Sequence, residues 1–272
     1  MYIMPNITFS TCWYNFKAKF PSNIYQTWIH NMLSYANNYY LIIYTDNDGF
    51  EFLEKYIKEN IMIIIKPYCE FHTYKYMKSW IDNHEKNVLL KNNVDWRVNM
   101  LWSEKIHFVK ETMVNNYFNT DYFGWCDIGY FRDTTRDTSM YKLGNWPNQP
   151  KINRLAKNKI HYAIVNNNQS YMQDLYSLIN NKNSYNLPKQ PIPPNQISVA
   201  GGFFIVHKNM VNWWHDIYYT KLQLYFDNNY LIKDDQMIII NCVLENTNQF
   251  QLYRENDKNY DNWFMFQRIL LE

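Results

Sequence analysis

The chain has 272 residues, 47% of them hydrophobic and 19% charged, as expected of a soluble globular protein with a sizeable core, in one large α/β domain or two small ones. Its net charge of +2, with Lys and Arg scattered, argues against a protein that coats nucleic acid, and apolar runs such as Ile61 to Ile65 are far too short to span a membrane. Cysteines at 12, 69, 126 and 242 form no CxxC pair and no metal-ligand spacing, and the first eight residues lack the pattern of a secretion signal. Reduced thiols in a cytoplasmic setting are the expectation.

In chain order, Ile7 to Cys12 reads as a first strand and Ser22 to Ala36 as a helix. Tyr39 to Thr45 is a second strand, closed by the turn Asp46-Asn47-Asp48-Gly49. A short helix over Phe50 to Lys58 leads to a third strand, Ile61 to Lys66, which Pro67 stops. Nearly continuous apolar strands separated by helices predict a parallel sheet covered on both faces. The strongest helix runs from Trp96 to Tyr117, with Asp95 as N-cap and Trp102, Ile106, Val109, Met113 and Tyr117 as one apolar stripe. Tyr122 to Asp127 is a buried strand ending in a carboxylate.

The second half is less regular. His161 to Val165 and Ile197 to His207 read as strands, Met210 to Phe226 as an amphipathic helix and Asp235 to Leu244 as a buried one. Four prolines make Asn183 to Asn195 a loop. A single domain over 1–272 is expected, its functional halves meeting near residue 130.

Six glycines serve the whole chain, and four of them fall in two short segments, at 124 and 129 around Asp127 and at 201–202. A sequence this sparing places glycine where backbone turns or lies close to something. Asp127, at the carboxyl end of a buried strand, occupies the edge where open α/β sheets bind ligands. There it can hold a divalent metal, or merely cap a turn before Gly129. Gly201-Gly202 admits a sugar or pyrophosphate to the backbone, or marks a strand bulge. Asp234 and Asp235 open a helix, so one can cap it while the other serves as base or sugar ligand. Arg97 and Lys105 can meet phosphate oxygens, though a solvated helix face is the commoner fate. The seven His form no HxH or HExxH pattern, and GxSxG, GxGxxG and P-loop motifs are absent.

Taken in order, Thr8-Phe9-Ser10-Thr11, Tyr44-Thr45-Asp46, Leu101-Trp102-Ser103-Glu104-Lys105-Ile106, Tyr122 to Gly129, Ala200-Gly201-Gly202-Phe203-Phe204 and Asp234-Asp235-Gln236 resemble the bacterial HtrL/YibB-like family, over about residues 6–246. That family is similar to GT-A glycosyltransferases, and similar chains occur in large DNA viruses. The resemblance implies a GT-A-like fold with a mostly parallel central sheet flanked by helices. Its nucleotide-binding half would span about 1–130 and its sugar and acceptor half about 131–272. It implies transfer of a sugar from a nucleotide diphosphate, UDP-sugars favoured, to an acceptor hydroxyl on a glycan or protein, in the host cytoplasm or a virion.

By the same resemblance the donor would meet Thr8, Ser10, Thr11, Asp46, Arg97, Lys105, Gly201 and Gly202, and Asp127 would hold Mn²⁺ or Mg²⁺. Asp235, with Asp234, would serve the acceptor. The family pattern Trp125-x-Asp127-x-Gly129 lacks the second Asp of the usual metal motif. No nucleic acid is expected as partner, and a homo-oligomer is compatible. An inactive nucleotide-sugar-binding protein or a virion structural protein of the same fold is the alternative.

Overall fold

The computed structural model describes residues 4–271, so the opening stretch read for a leader lies partly outside them. β1 (Ile7–Trp13) and β2 (Tyr40–Thr45) run parallel, Ser10 facing Ile42 in register. β3 (Ile61–Ile65) pairs parallel with the outer edge of β2, and its half-exposed side chains mark an edge strand. On the other side of β1 lies β4 (Tyr122–Cys126), also parallel. The remaining strands are β5 (Ile160–Ala163), β6 (Phe203–His207) and β7 (Phe250–Tyr253). β6 sits antiparallel between β4 and β5, and β7 pairs parallel with β5. The seven-stranded order is β3-β2-β1-β4-β6-β5-β7.

The alternation of side chains along each strand divides the core in two. Ile42 and Tyr44 point with Phe108, Trp125 and Trp214 to one face, and Leu41 and Ile43 point with Phe9, Phe203 and Phe266 to the other. In chain order the helices are α1 (Ser22–Ser34), α2 (Asn47–Leu53), α3 (Met77–Lys86), α4 (Trp96–Asn115), α5 (Gln149–Asn153), α6 (Gln169–Asn180), α7 (Lys208–Asp227), α8 (Asp235–Glu245) and α9 (Met265–Ile269). α4, α7 and α8 supply the first face; α1 and α9 supply the second. Among the described residues no helix is long and apolar enough to cross a membrane.

The strand and helix expectations of the first half hold with small shifts. α4 stops at Asn115 because Asn116 turns left-handed, with φ 49°, and ends the helix two residues early. The helix expected from Phe50 starts instead at Asn47, capped by Asp46, and gives way to a 3₁₀ turn over Glu54–Tyr56. The strand expected over Ile197 to His207 is confined to Phe203–His207. α3, α6 and β7 have no counterpart in the sequence reading.

Candidate functional site

From β1 the chain crosses to β2 on one side, while β4 lies on the other. The carboxyl ends of β1 and β4 therefore flank the point where the crossovers diverge, the usual crevice of an open α/β sheet. Asp127 follows β4 directly. Its N–H donates to the Gly202 carbonyl at 2.8 Å, which carries the β4–β6 ladder one step beyond the Cys126–Phe203 pair. The Trp125 indole N–H fixes the carboxylate by donating to its Oδ1 at 2.6 Å.

Lys105 reaches the same place from α4. Its Nζ lies 3.1 Å from Asp127 Oδ1 and 3.1 Å from Asp235 Oδ2, and donates to the Gly201 carbonyl at 2.9 Å. The buried ammonium thus donates to one carbonyl and is flanked by two carboxylates as ion-pair partners. Burial works against both charges of the Lys105–Asp235 pair, with opposite outcomes. Lys105 has two carboxylates, which outweigh burial and raise its pKa. Asp235 shares one ammonium and has Asp234 and Asp127 as like-charged neighbours, so burial prevails and pushes it up to about 6.

The paired glycines are explained by space. Neither has a positive φ. A Cβ on Gly201 would stand 2.9 Å from Gln236 Cγ and 3.0 Å from Asp235 Oδ2, and one on Gly202 would stand 2.9 Å from Asp127 Oδ2. The two segments singled out in the sequence therefore meet, Gly202 letting the Asp127 carboxylate and Gly201 letting the Asp235 carboxylate lie against the 201–202 backbone.

These groups floor a cleft of about 330 Å³. Lys19 and Arg132 bring positive charge to its walls. Lys19 stands at the exposed rim with Nζ 4.7 Å from the centre of the Trp102 ring. The Arg132 guanidinium lies 4.2 Å over Trp28, and its Nε donates to the Gly129 carbonyl at 3.0 Å. Beside the cleft, and sharing Lys105, Asp127 and Arg132 with it, is a smaller slot walled by Trp13, Tyr14, Phe16, Leu101 and Trp102. Cations around a recessed polar floor, next to an aromatic slot, suit a ligand that is anionic at one end and flat and apolar at the other.

Of the residues read from the sequence, Lys105, Asp127, Gly201, Gly202, Asp234 and Asp235 all border this cleft. Asp234 occupies the N-cap position of α8 without accepting a cap hydrogen bond. It pairs at 2.6 Å with Lys233 Nζ, and its buried Oδ1 has no hydrogen-bond partner among the described residues. The others are held away from the cleft. Thr8 and Ser10 lie inside the central strand, where their hydroxyls bond Thr120 and Thr112 at 2.8 Å, and Thr11 is fully buried. Asp46 accepts the Gly49 N–H at 2.9 Å as the cap of α2. Arg97 is engaged by both oxygens of Asp95 at 2.9 Å and stacks over Phe16.

The sequence reading missed Lys19 and Arg132 and put Trp102 in the core stripe. A signal existed for Trp102, which precedes Lys105 by three residues and so shares its helix face. Lys19 sits in a loop with no pattern to mark it.

No protein-family profile and no curated protein matches the chain in sequence. Among solved structures, the chain is similar to the galactosyltransferase LgtC in complex with donor and acceptor sugar analogs. The likeness has a TM-score of 0.48 at 10% identity, covering 94% of this chain and 83% of LgtC.

Proposed function

We propose that this chain is a glycosyltransferase of GT-A-like fold that moves a sugar from a nucleotide diphosphate, UDP-sugars favoured, to an acceptor hydroxyl. The observation that carries the reading is the buried Lys105 between Asp127 and Asp235, placed at the sheet's switch point beside the cationic walls of Lys19 and Arg132. The base would enter the aromatic slot, and the diphosphate would lie against Arg132 and Lys19. The sugar would sit over the Gly201-Gly202 backbone.

Mn²⁺ or Mg²⁺ would be held on Oδ2 of Asp127, since Oδ1 is engaged by Trp125 and Lys105. With phosphate oxygens and water as its other ligands, it would supply charge neutralisation to the leaving diphosphate. The chain's own cations add to that stabilisation. As the bond from sugar C1 to the diphosphate oxygen breaks, its electrons pass to that oxygen, where Arg132 and Lys19 meet the growing charge. The acceptor oxygen bonds to C1, and in an inverting reaction its proton passes to Asp235. Burial leaves that carboxylate a better base than an exposed one.

Calorimetric titration with UDP- and GDP-sugars, followed by an assay of released nucleotide, tests the proposal. Arg132→Ala should weaken nucleotide-sugar binding about 10- to 100-fold, the worth of one charge-assisted bond. Asp127→Ala should abolish nucleotide release while leaving the fold intact. Unaltered binding in the first and full activity in the second would reject the assignment.

A second reading is a nucleotide-sugar-binding protein without turnover. It is favoured by the fact that Lys105 already engages both acids. Saturable binding with no nucleotide release in the presence of varied acceptors would select it.

A further inference from the structure

A separate cluster lies on another side of α4. Successive helix residues are about 100° apart, so the step of two from Lys105 to His107 turns the side chain well away from the cleft. There His107 meets His72, from the connector after β3, and His215 on α7. One nitrogen from each of the three lies within 4.8 Å of the other two. His107 Nδ1 and His215 Nε2 are 3.2 Å apart.

Carboxylates stand behind two of the rings. Asp216 Oδ1 is 2.9 Å from His215 Nδ1, and Glu111 Oε2 is 3.6 Å from His107 Nε2. Asp216 favours an N–H on His215 Nδ1, and Glu111, whose Oε2 is also paired with Lys66, draws more weakly on His107 Nε2. With both N–H groups facing outward, the lone pairs of His107 Nδ1 and His215 Nε2 point at one another. Facing lone pairs repel unless a cation lies between them. A tetrahedral zinc ion with its usual bonds to nitrogen would set two ligand nitrogens about 3.3 Å apart, close to the spacing found. Carboxylates on the outer nitrogens are also the arrangement that orients metal-bound histidines.

The third ring is anchored through its backbone. The buried Glu104 carboxylate accepts the N–H groups of His72 and Thr73, the latter at 3.1 Å, and so holds the connector against α4. Burial also lowers the pKa of all three imidazoles, keeping them in the neutral form that ligates.

We propose that His72, His107 and His215 form a binding site for a zinc-type divalent ion, which clamps the connector after β3 to α4 and α7. Three imidazoles select zinc and its neighbours over Mg²⁺ or Mn²⁺, which prefer oxygen. The site is independent of the sugar-transfer reading. His72 stacks on His107 with ring centres 4.5 Å apart, so it turns about its side-chain bonds to join the metal. Lys110 Nζ reaches His215 Nδ1 at 3.1 Å and is also drawn to Asp216 at 3.7 Å. Were Lys110 the partner of that nitrogen, His215 would carry its proton on Nε2 and donate it to His107, and no metal would bind.

The untagged full-length protein, stripped by chelator and dialysed, is titrated with Zn²⁺ and then Co²⁺. One equivalent should bind with micromolar or tighter affinity, Co²⁺ should give the visible absorption of a four-coordinate ion, and Zn²⁺ should raise the melting temperature. Mg²⁺ and Mn²⁺ at equal concentration should do neither. His107→Gln should weaken zinc binding at least 100-fold. The exposed Asp216→Asn, which leaves the fold undisturbed, should weaken it about tenfold or more. Absence of saturable one-to-one binding, or equal affinity in both variants and the unaltered chain, overturns the site.

Discussion

Lys105 Nζ stands 3.1 Å from Asp235 Oδ2, with only 8% and 4% of the two side chains exposed. A buried pair of this kind is strongly destabilising when one member alone is removed, because the other charge is left without compensation. Lys105→Met keeps much of the volume and deletes the charge, so it should cost about 3–5 kcal/mol near neutral pH. The sign of the pH effect follows from Asp235. Its pKa is raised in the folded protein, so the protonated form is favoured there, and the associated stability is lost as pH rises towards and through about 6. Without Lys105 the pKa goes higher still. Urea denaturation should therefore show the deficit of Lys105→Met shrinking from pH 8 to pH 5, with Lys105→Met/Asp235→Asn recovering much of it. A deficit constant across that range would contradict the ion-pair account.

Most of the parallel half of the sheet was legible because β1, β2 and β4 are buried on both faces and read as short runs rich in β-branched and aromatic residues, as in Ile7 to Cys12 and Tyr122 to Cys126. α3 was not legible, since only Trp80 and Asn83 of its ten residues are buried. α6 carried a usable signal in Met172, Leu175 and Ile179, with Asn168 as its cap. β7 has four residues, too few for a period to show. At the site, scarce glycine pointed to the two segments that meet. The burial of Lys105 was invisible because it depends on acids 22 and 130 residues further along the chain. The histidine cluster was hidden for the same reason, its members being distant in sequence.

Glu104 supplies a second pH dependence. It is fully buried, and burial pushes its carboxyl up to about 7 against the opposing bonds from His72 and Thr73. Because the folded pKa lies above the ordinary 4.5, the stability linked to protonation is complete below that value and is lost as pH rises through 7. The lowered pKa values of His72, His107, His161, His207 and His215 act in the opposite direction up to about pH 7.5, but they do so equally in a Glu104→Gln protein. Between pH 6.5 and 8 the unaltered protein should therefore lose about 1 kcal/mol relative to Glu104→Gln. Denaturation curves at those two pH values measure the difference directly. Parallel change in both proteins would mean that Glu104 is already ionised at the lower pH.

Two glycine substitutions should fail in different ways. A Cβ on Gly124 would stand 2.4 Å from the Phe204 carbonyl oxygen and 2.9 Å from Phe9 Cε1, between strands that cannot part without breaking the sheet. Gly124→Ala should destabilise the fold by about 1–3 kcal/mol, as overpacking in a core does. A Cβ on Gly202 would instead meet Asp127 Oδ2 at 2.9 Å, and the Asp127 side chain is 41% exposed with room to swing aside. Moving that carboxylate pulls Oδ1 from Trp125 and Lys105 while leaving the sheet intact. Gly202→Ala should therefore melt within a few degrees of the unaltered protein yet release nucleotide at least tenfold more slowly. Thermal melts alongside the turnover assay separate the two effects. A Gly202→Ala protein that is unstable but fully active per folded molecule would show that the glycine serves the fold alone.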